Sequence, residues 1–239
     1  MEKIKKENFD TIYLPKSVNP LCLLSGMRVL VMTAVSAERE AVLRGLHSDR
    51  RFDVLVVGVG PVSAAANTAR VLATTEYGLV VSAGIGGGFP GRAEVGSLVV
   101  ANEIVAADLG VETPEGFSSL DELGFGSTRI QVDASLVNGV TEALLAAKLP
   151  VKTGPVLTVS TVTGTAESAK EMAARVPGAT AEAMEGYGVA LAAYDRGVPI
   201  MELRAISNLV GPRDRTAWRI KEALDVLEAA SSVLLEVLL

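Results

Sequence analysis

Leu203-Arg204-Ala205-Ile206-Ser207-Asn208 reads as an apolar strand ending in two polar residues, and Gly211-Pro212-Arg213-Asp214-Arg215 follows it as the opening of a helix. Upstream, Ala183-Met184-Glu185-Gly186 places a carboxylate at the start of another helix. In α/β proteins, polar groups at the carboxyl ends of strands face the ligand crevice. These two blocks therefore point to a parallel-type sheet with its site at the strand ends.

The alternation to which they belong begins at Met27. Residues 29–35 are a continuous apolar run, as a strand buried on both faces requires, and 38–46 follow at helical spacing. A second buried strand is expected at 52–59, and Pro61 starts an Ala-rich helix over 62–72. Strands at 79–83 and 98–105 come next. Residues 108–126, rich in Gly, Ser, Glu and Pro, read as a mobile loop. Residues 134–148 are helical, 156–160 extended, 187–196 helical, 200–206 a strand and 216–239 a final helix. The expected fold class is α/β: one domain over 27–239, a mainly parallel or mixed central sheet flanked by helices. Residues 1–26 read as an extension outside that core. Their Leu21-Cys22-Leu23-Leu24 stretch is too short for a signal-peptide core.

Composition narrows the classes of function. The chain has 239 residues, 49% hydrophobic and 21% charged, which suits one globular domain. A net charge of −6 argues against a nucleic-acid partner. No apolar run approaches the roughly 20 residues of a membrane helix, so no membrane partner is expected and a cytoplasmic location follows. One cysteine and one histidine, His47, exclude an internal disulfide, a His-based triad and a multi-cysteine or His-rich metal site. No metal and no cofactor is expected. The chemistry must run on carboxylates, amides and backbone.

Four strand ends carry the candidates. In Thr33-Ala34-Val35-Ser36-Ala37-Glu38, the glutamate sits in a first helical turn. It either complements the helix dipole or orients and deprotonates a water. Ser82-Ala83-Gly84-Ile85-Gly86-Gly87-Gly88 allows a backbone to approach a ligand, or is simply a tight turn. Its spacing is not that of a dinucleotide loop, and with no Lys or Arg inside it is a poor phosphate cradle. Glu185 can accept two parallel hydrogen bonds from vicinal hydroxyls, with Met184 as an apolar floor or as plain packing. Asn208 can pair with a heterocyclic base, while Arg204 is equally a ligand contact or an ion-pair partner. Arg213, Asp214, Arg215 and Arg219 form a charged run that either solvates a helix start or binds an anion.

Glu38, the Gly-rich 83–88 stretch, Met184-Glu185 and Arg204-Ala205-Ile206-Ser207-Asn208, in this order, resemble the purine nucleoside phosphorylase and nucleosidase superfamily. The resemblance spans essentially all of 27–239. Ser207-Asn208-Leu209-Val210-Gly211-Pro212-Arg213-Asp214-Arg215, followed by Ala217-Trp218-Arg219-Ile220, is similar to the branch that cleaves futalosine in an alternative menaquinone pathway. In the branch acting on 5′-methylthioadenosine and S-adenosylhomocysteine, Ser-Asp-x-Ala stands there instead.

The resemblance implies hydrolysis of the N-glycosidic bond of a 6-oxopurine nucleoside, with Glu38 activating water and Asn208 binding the departing purine. It implies sugar contacts from Glu185 and Met184, with Gly84, Ile85, Gly86 and Arg204 lining the site. Thr161-Val162-Thr163-Gly164 stands where nucleosidases commonly carry an aromatic residue, which leaves Val162 as the expected base contact. Arg213 and Arg215 are expected at the 5′ substituent, a carboxyphenyl ketone in futalosine. A homo-oligomer, a dimer at the lowest order, is implied too. Two alternatives remain open at this point: a methylthioadenosine/adenosylhomocysteine nucleosidase, and a non-catalytic nucleoside-binding protein of the same fold.

Overall fold

A computed structural model describes residues 26–238, so the expectations for the 1–26 extension, Cys22 included, fall outside the described residues except at Gly26. The strands are β1 Val29–Thr33, β2 Phe52–Val56, β3 Leu79–Gly88, β4 Leu98–Ala106, β5 Gly110–Thr113, β6 Gly116–Ser119, β7 Arg129–Gln131, β8 Val151–Thr158, β9 Ala181–Ala183 and β10 Ile200–Leu209. The helices are α1 Ser36–Gly45, α2 Pro61–Leu72, α3 Leu120–Leu123, α4 Ala134–Ala146, α5 Ala166–Arg175, α6 Gly186–Asp195 and α7 Ile220–Val237.

Eight strands form one mixed sheet in the order β10-β4-β8-β9-β3-β1-β2, with β7 paired to β4. An additional β10–β3 pairing closes β3, β10, β4, β8 and β9 into a ring, from which β1 and β2 extend. β3 is the pivot. Its first half pairs parallel to β1, from Leu79 opposite Val29 to Ser82 opposite Met32. Its last residues pair antiparallel to β9, with Gly87 opposite Glu182 and Gly88 opposite Ala181. Between them β3 has changed neighbours, and a split of this kind is where α/β sheets bind ligands.

β1 is buried throughout, and β10 is buried from Ile200 to Ser207. That explains their largely apolar sequence, since helices cover both faces, and makes the buried Glu202 and Arg204 of β10 the exceptions. α2 packs on α6 and α1 on α7. The approach is close enough that a Cβ on Gly188 would lie 2.1 Å from the Pro61 carbonyl oxygen.

Four features differ from the sequence expectations. Gly84–Gly88 is not a turn but the second half of β3, because β10 runs beside it from Arg204 opposite Gly84 to Leu209 opposite Gly88. Residues 108–126 are not a structureless loop. They contain the β5–β6 hairpin and α3, whose Ser119 and Glu122 form a reciprocal capping box. The final helix does not start at Thr216. Arg215–Ala217 form an isolated 3₁₀ turn, and α7 begins at Ile220 after Trp218 adopts an extended conformation. Finally, α5 and β7 lie where the sequence reading had no element. Among the described residues no helix is long and apolar enough to cross a membrane.

Candidate active site

Glu38 sits in the first turn of α1, and its carboxylate turns back toward the end of β1. Oε2 accepts from the Ala34 N–H at 2.8 Å and the Val35 N–H at 3.2 Å, while Oε1 accepts from the Ile85 N–H at 2.9 Å. The Ile85 donor is available because β3 has left β1 and not yet joined β9. The side chain thus bridges the split in the sheet and is only 4% exposed. Burial pushes its carboxyl up from the usual 4.5, opposed by the Ile85 hydrogen bond and the nearby Arg204, while Glu185 adds to the rise.

Arg204 is buried on β10 and is the largest fully buried side chain among the described residues. Its Nε donates to Glu202 Oε1 at 2.8 Å, Nη1 to Glu185 Oε2 at 3.3 Å and Nη2 to Ser82 Oγ at 3.0 Å. Glu185 is the N-cap residue of α6, and its Oε1 accepts from the Gly60 N–H at 3.2 Å. Gly84 explains how these groups meet. A Cβ there would lie 2.6 Å from Glu38 Oε1 and 2.8 Å from Arg204 Nη1, so only glycine lets both flank β3. Glu38, Glu185 and Glu202 therefore surround one buried guanidinium.

Asn208 follows at the end of β10, partly exposed. Its Oδ1 accepts from the Ser207 hydroxyl at 2.8 Å, and its Nδ2 donates to the Leu209 carbonyl at 3.0 Å. Each end of the amide thus has one bond in place and one hydrogen-bonding position left. Gly87 lies beneath it, where a Cβ would stand 3.3 Å from Nδ2. Met184, half-buried, links β9 to the Glu185 cap.

The structure brings Glu38, Gly84, Ile85, Glu185 and Arg204 into direct contact, with Met184 adjacent to Glu185 and with Gly86 and Asn208 further along the same pair of strands. Among the described residues, Val162, Arg213 and Arg215 make no hydrogen bond to this cluster. Val162 is 40% exposed on the loop after β8. Arg213 donates its backbone N–H to the Gly164 carbonyl at 3.1 Å, and its guanidinium lies 5.0 Å from the Trp218 ring centroid. Arg215 is exposed in the 3₁₀ turn.

Several residues of the site were not anticipated from sequence. Glu202 and Ser82 hold Arg204, Ser207 orients Asn208, and Gly60 holds Glu185. Glu182 pins the 161–164 loop through the Thr163 N–H at 2.9 Å and through the Thr163 hydroxyl. The alternation Glu202-Leu203-Arg204 was the available signal: two charges at i and i+2 in an apolar strand share one face.

Comparison with known proteins agrees with this geometry. The family model described as "Phosphorylase superfamily" matches residues 35–239. A Streptomyces coelicolor protein named futalosine hydrolase is 52% identical over 232 residues, covering 89% of this chain and 97% of the relative. A futalosine hydrolase of Acidothermus cellulolyticus is 46% identical, covering 86% of this chain and 89% of the relative. Among solved structures, a futalosine hydrolase of Helicobacter pylori superposes with a TM-score of 0.74 at 18% identity, covering 89% and 97% of the two chains, a likeness of fold. The chain belongs to the phosphorylase superfamily and, within it, to the futalosine hydrolases.

Proposed function

We propose that this protein hydrolyses the N-glycosidic bond of futalosine, releasing hypoxanthine and dehypoxanthinyl futalosine, a step of menaquinone biosynthesis. The observation that carries the choice of water over phosphate is the occupancy of the anion-ready groups. The Ile85 and Gly60 N–H groups are each bonded to a carboxylate, and Arg204 is already matched by Glu202 and Glu185. A dianionic nucleophile entering here would meet three carboxylates and no uncompensated buried cation. A neutral water would not be repelled.

Three backbone N–H groups fix the Glu38 carboxylate, and burial raises its basicity toward the working pH of a general base. Water adds to C1′ and gives its proton to Glu38, while the C1′–N bond breaks and its electron pair leaves with the purine, which takes a proton from solvent to become hypoxanthine as Glu38 gives its own back to solvent. The sugar passes through an oxocarbenium-like state, which the Glu185 carboxylate stabilises while accepting from the ribose hydroxyls. Asn208 offers its amide NH₂ to the adjacent N7 and O6 of hypoxanthine, one N–H leaving the Leu209 carbonyl as the base binds. Adenine would instead need Oδ1 to accept from its amino group on the lone pair that the Ser207 hydroxyl leaves. Met184 floors the sugar, Gly84, Ile85 and Gly86 line it, and Val162 contacts the base.

Arg213 and Arg215 bind the 5′ carboxyphenyl group in this reading. Arg213 is tied through Gly164 to the loop carrying Val162 and stacks over Trp218, the pairing of cation and aromatic face that a benzoate needs. We further propose a cytoplasmic homo-oligomer, a dimer at the lowest order, in which exposed Val59, Val62, Leu191 and Tyr194 around the α2–α6 pair are covered.

Incubation with futalosine, inosine and 5′-methylthioadenosine, with and without phosphate, tests the reading. Hypoxanthine released from futalosine without phosphate is the expected result. A requirement for phosphate, or preferential release of adenine from methylthioadenosine, would refute it.

A further inference from the structure

Glu202 is a fully buried carboxylate that the mechanism above does not use. It lies opposite Ser82 in the β3–β10 register, one strand repeat before Arg204. Its Oε1 takes the Arg204 Nε at 2.8 Å, and its Oε2 has no hydrogen-bond partner among the described residues. The carboxylate lies flat against the first residue of α6. A Cβ on Gly186 would stand 2.2 Å from Glu202 Oε2, so glycine at that position is what makes room for it. The positive N-terminal end of α6 and the guanidinium are the two features that favour an anion there.

A buried carboxylate without a full set of partners is expensive, and a well-packed apolar side chain would fill a β10 position at lower cost. Its geometry accounts for its presence. Nη1 of Arg204 reaches Glu185 and flanks Glu38 across Gly84, Nη2 reaches Ser82, and Nε is left for Glu202. With Nε anchored, the plane of the guanidinium is fixed, and its face toward Glu38 and Glu185 cannot rotate.

We propose that Glu202 is a positioning residue for the glycosidase reaction: it anchors and charge-balances Arg204, so that Glu38 and Glu185 keep their geometry and Glu38 keeps enough proton affinity to act as the base. This rests on Glu38 being the base. The charged groups facing Glu202 are Arg204 on its own strand, Glu185 at the start of α6 and, beyond Arg204, Glu38 on α1. Burial lifts the Glu202 carboxyl above its ordinary range and Arg204 holds it down.

Glu202→Gln keeps the size of the side chain and an acceptor for Nε while removing the charge. Arg204 then acts on Glu38 without its counter-charge and lowers the proton affinity of that carboxylate. The expected result is a loss in kcat of about tenfold, little change in KM, and an acid limb of the kcat–pH profile displaced downward by about one unit, the scale of one added neighbouring charge. Glu202→Asp keeps the charge but withdraws it from Nε, and should lower kcat with the acid limb left in place. Native kcat and an unmoved limb in Glu202→Gln would overturn the proposal. If that variant does not fold, native kcat in Glu202→Asp overturns it equally. Glu38→Gln run in parallel separates the two ideas. Substantial turnover in Glu38→Gln refutes the base itself, whereas an inactive Glu38→Gln beside a native-like Glu202→Gln refutes only the anchor.

Discussion

The carboxyl ends of β3 and β10 and the segment from Arg213 to Arg219 both carry clustered charges, and they use them in opposite ways. At the strand ends Glu38, Glu185, Glu202 and Arg204 are all within 5% of full burial, and Glu38, Glu185 and Arg204 are each held by at least one group from another part of the chain, with Glu202 tied to Arg204 on its own strand. In the later segment Arg213, Asp214, Arg215 and Arg219 are exposed, and the side-chain bonds recorded there are local: Asp214 accepts from the Thr216 N–H at 2.9 Å, and Arg219 donates to the Thr216 carbonyl at 3.2 Å. A buried cluster has a low effective dielectric and one geometry, so each charge acts strongly on its neighbours. An exposed cluster is screened and adjustable, which suits a variable 5′ substituent better than bond cleavage.

That contrast predicts a gradient of mutational effects. Glu38→Gln removes the proton acceptor while keeping its shape. Turnover should fall about 100-fold or more with hypoxanthine binding nearly unchanged, as measured by single-turnover kinetics and base titration. Retention of more than about a tenth of the activity would place the base elsewhere. Glu185→Gln should raise KM and lower kcat together, because its ribose contact strengthens as the sugar becomes cationic. The matching observation on the native enzyme is a preference for ribo- over 2′-deoxynucleosides, and equal cleavage of the two would remove Glu185 from the 2′-hydroxyl.

Smaller and substrate-selective effects belong to the exposed segment. Arg213→Ala and Arg215→Ala should each weaken futalosine cleavage about tenfold, the scale of a charge-assisted bond of ~1.5 kcal/mol, and affect inosine much less. Equal losses on both substrates would make these arginines structural.

The pH dependence of the two regions differs in sign as well. Burial raises the Glu38 carboxyl, so the protonated, inactive form gains as pH falls through a value above 4.5. A raised folded-state carboxyl contributes stability below its unfolded pKa and loses it as pH rises, so protonating Glu38 does not by itself unfold the chain. Asp121 and Asp214 are held low, chiefly by hydrogen bonds from Thr128 and Thr216 acting against the larger effect of burial at Asp121 and a small one at Asp214. They lose stability only as pH falls below the ordinary carboxylate range. Activity should therefore decline on acidification while Tm still holds, and a Tm that falls first would contradict this ordering.

The same contrast governs what was legible in the sequence. The strand at 29–35 could be read because burial on both faces leaves a continuous apolar run, and 200–206 because Ile, Met, Leu and Ala dominate it around Glu202 and Arg204. Glu38, Glu185 and Asn208 could be read because strand ends and helix starts are marked locally. The ring closure of β3 onto β10 could not, since the pairing of Gly84–Gly88 with Arg204–Leu209 is a long-range fact and a run of glycines looks locally like a turn. Glu202 was missed although its partner Arg204 stands two residues along the same strand, because its niche at Gly186 forms only when α6 docks on β10. The β5–β6 hairpin was missed because its strands are four residues each and carry little alternation.

Cleavage of futalosine in H₂¹⁸O without phosphate tests the central claim most directly, that a water activated by Glu38 is the nucleophile. The account predicts one ¹⁸O at C1′ of dehypoxanthinyl futalosine, formed by the native protein and almost absent with Glu38→Gln. Product that forms only with phosphate and appears as a sugar 1-phosphate, or labelled product made at native rates by Glu38→Gln, would contradict it.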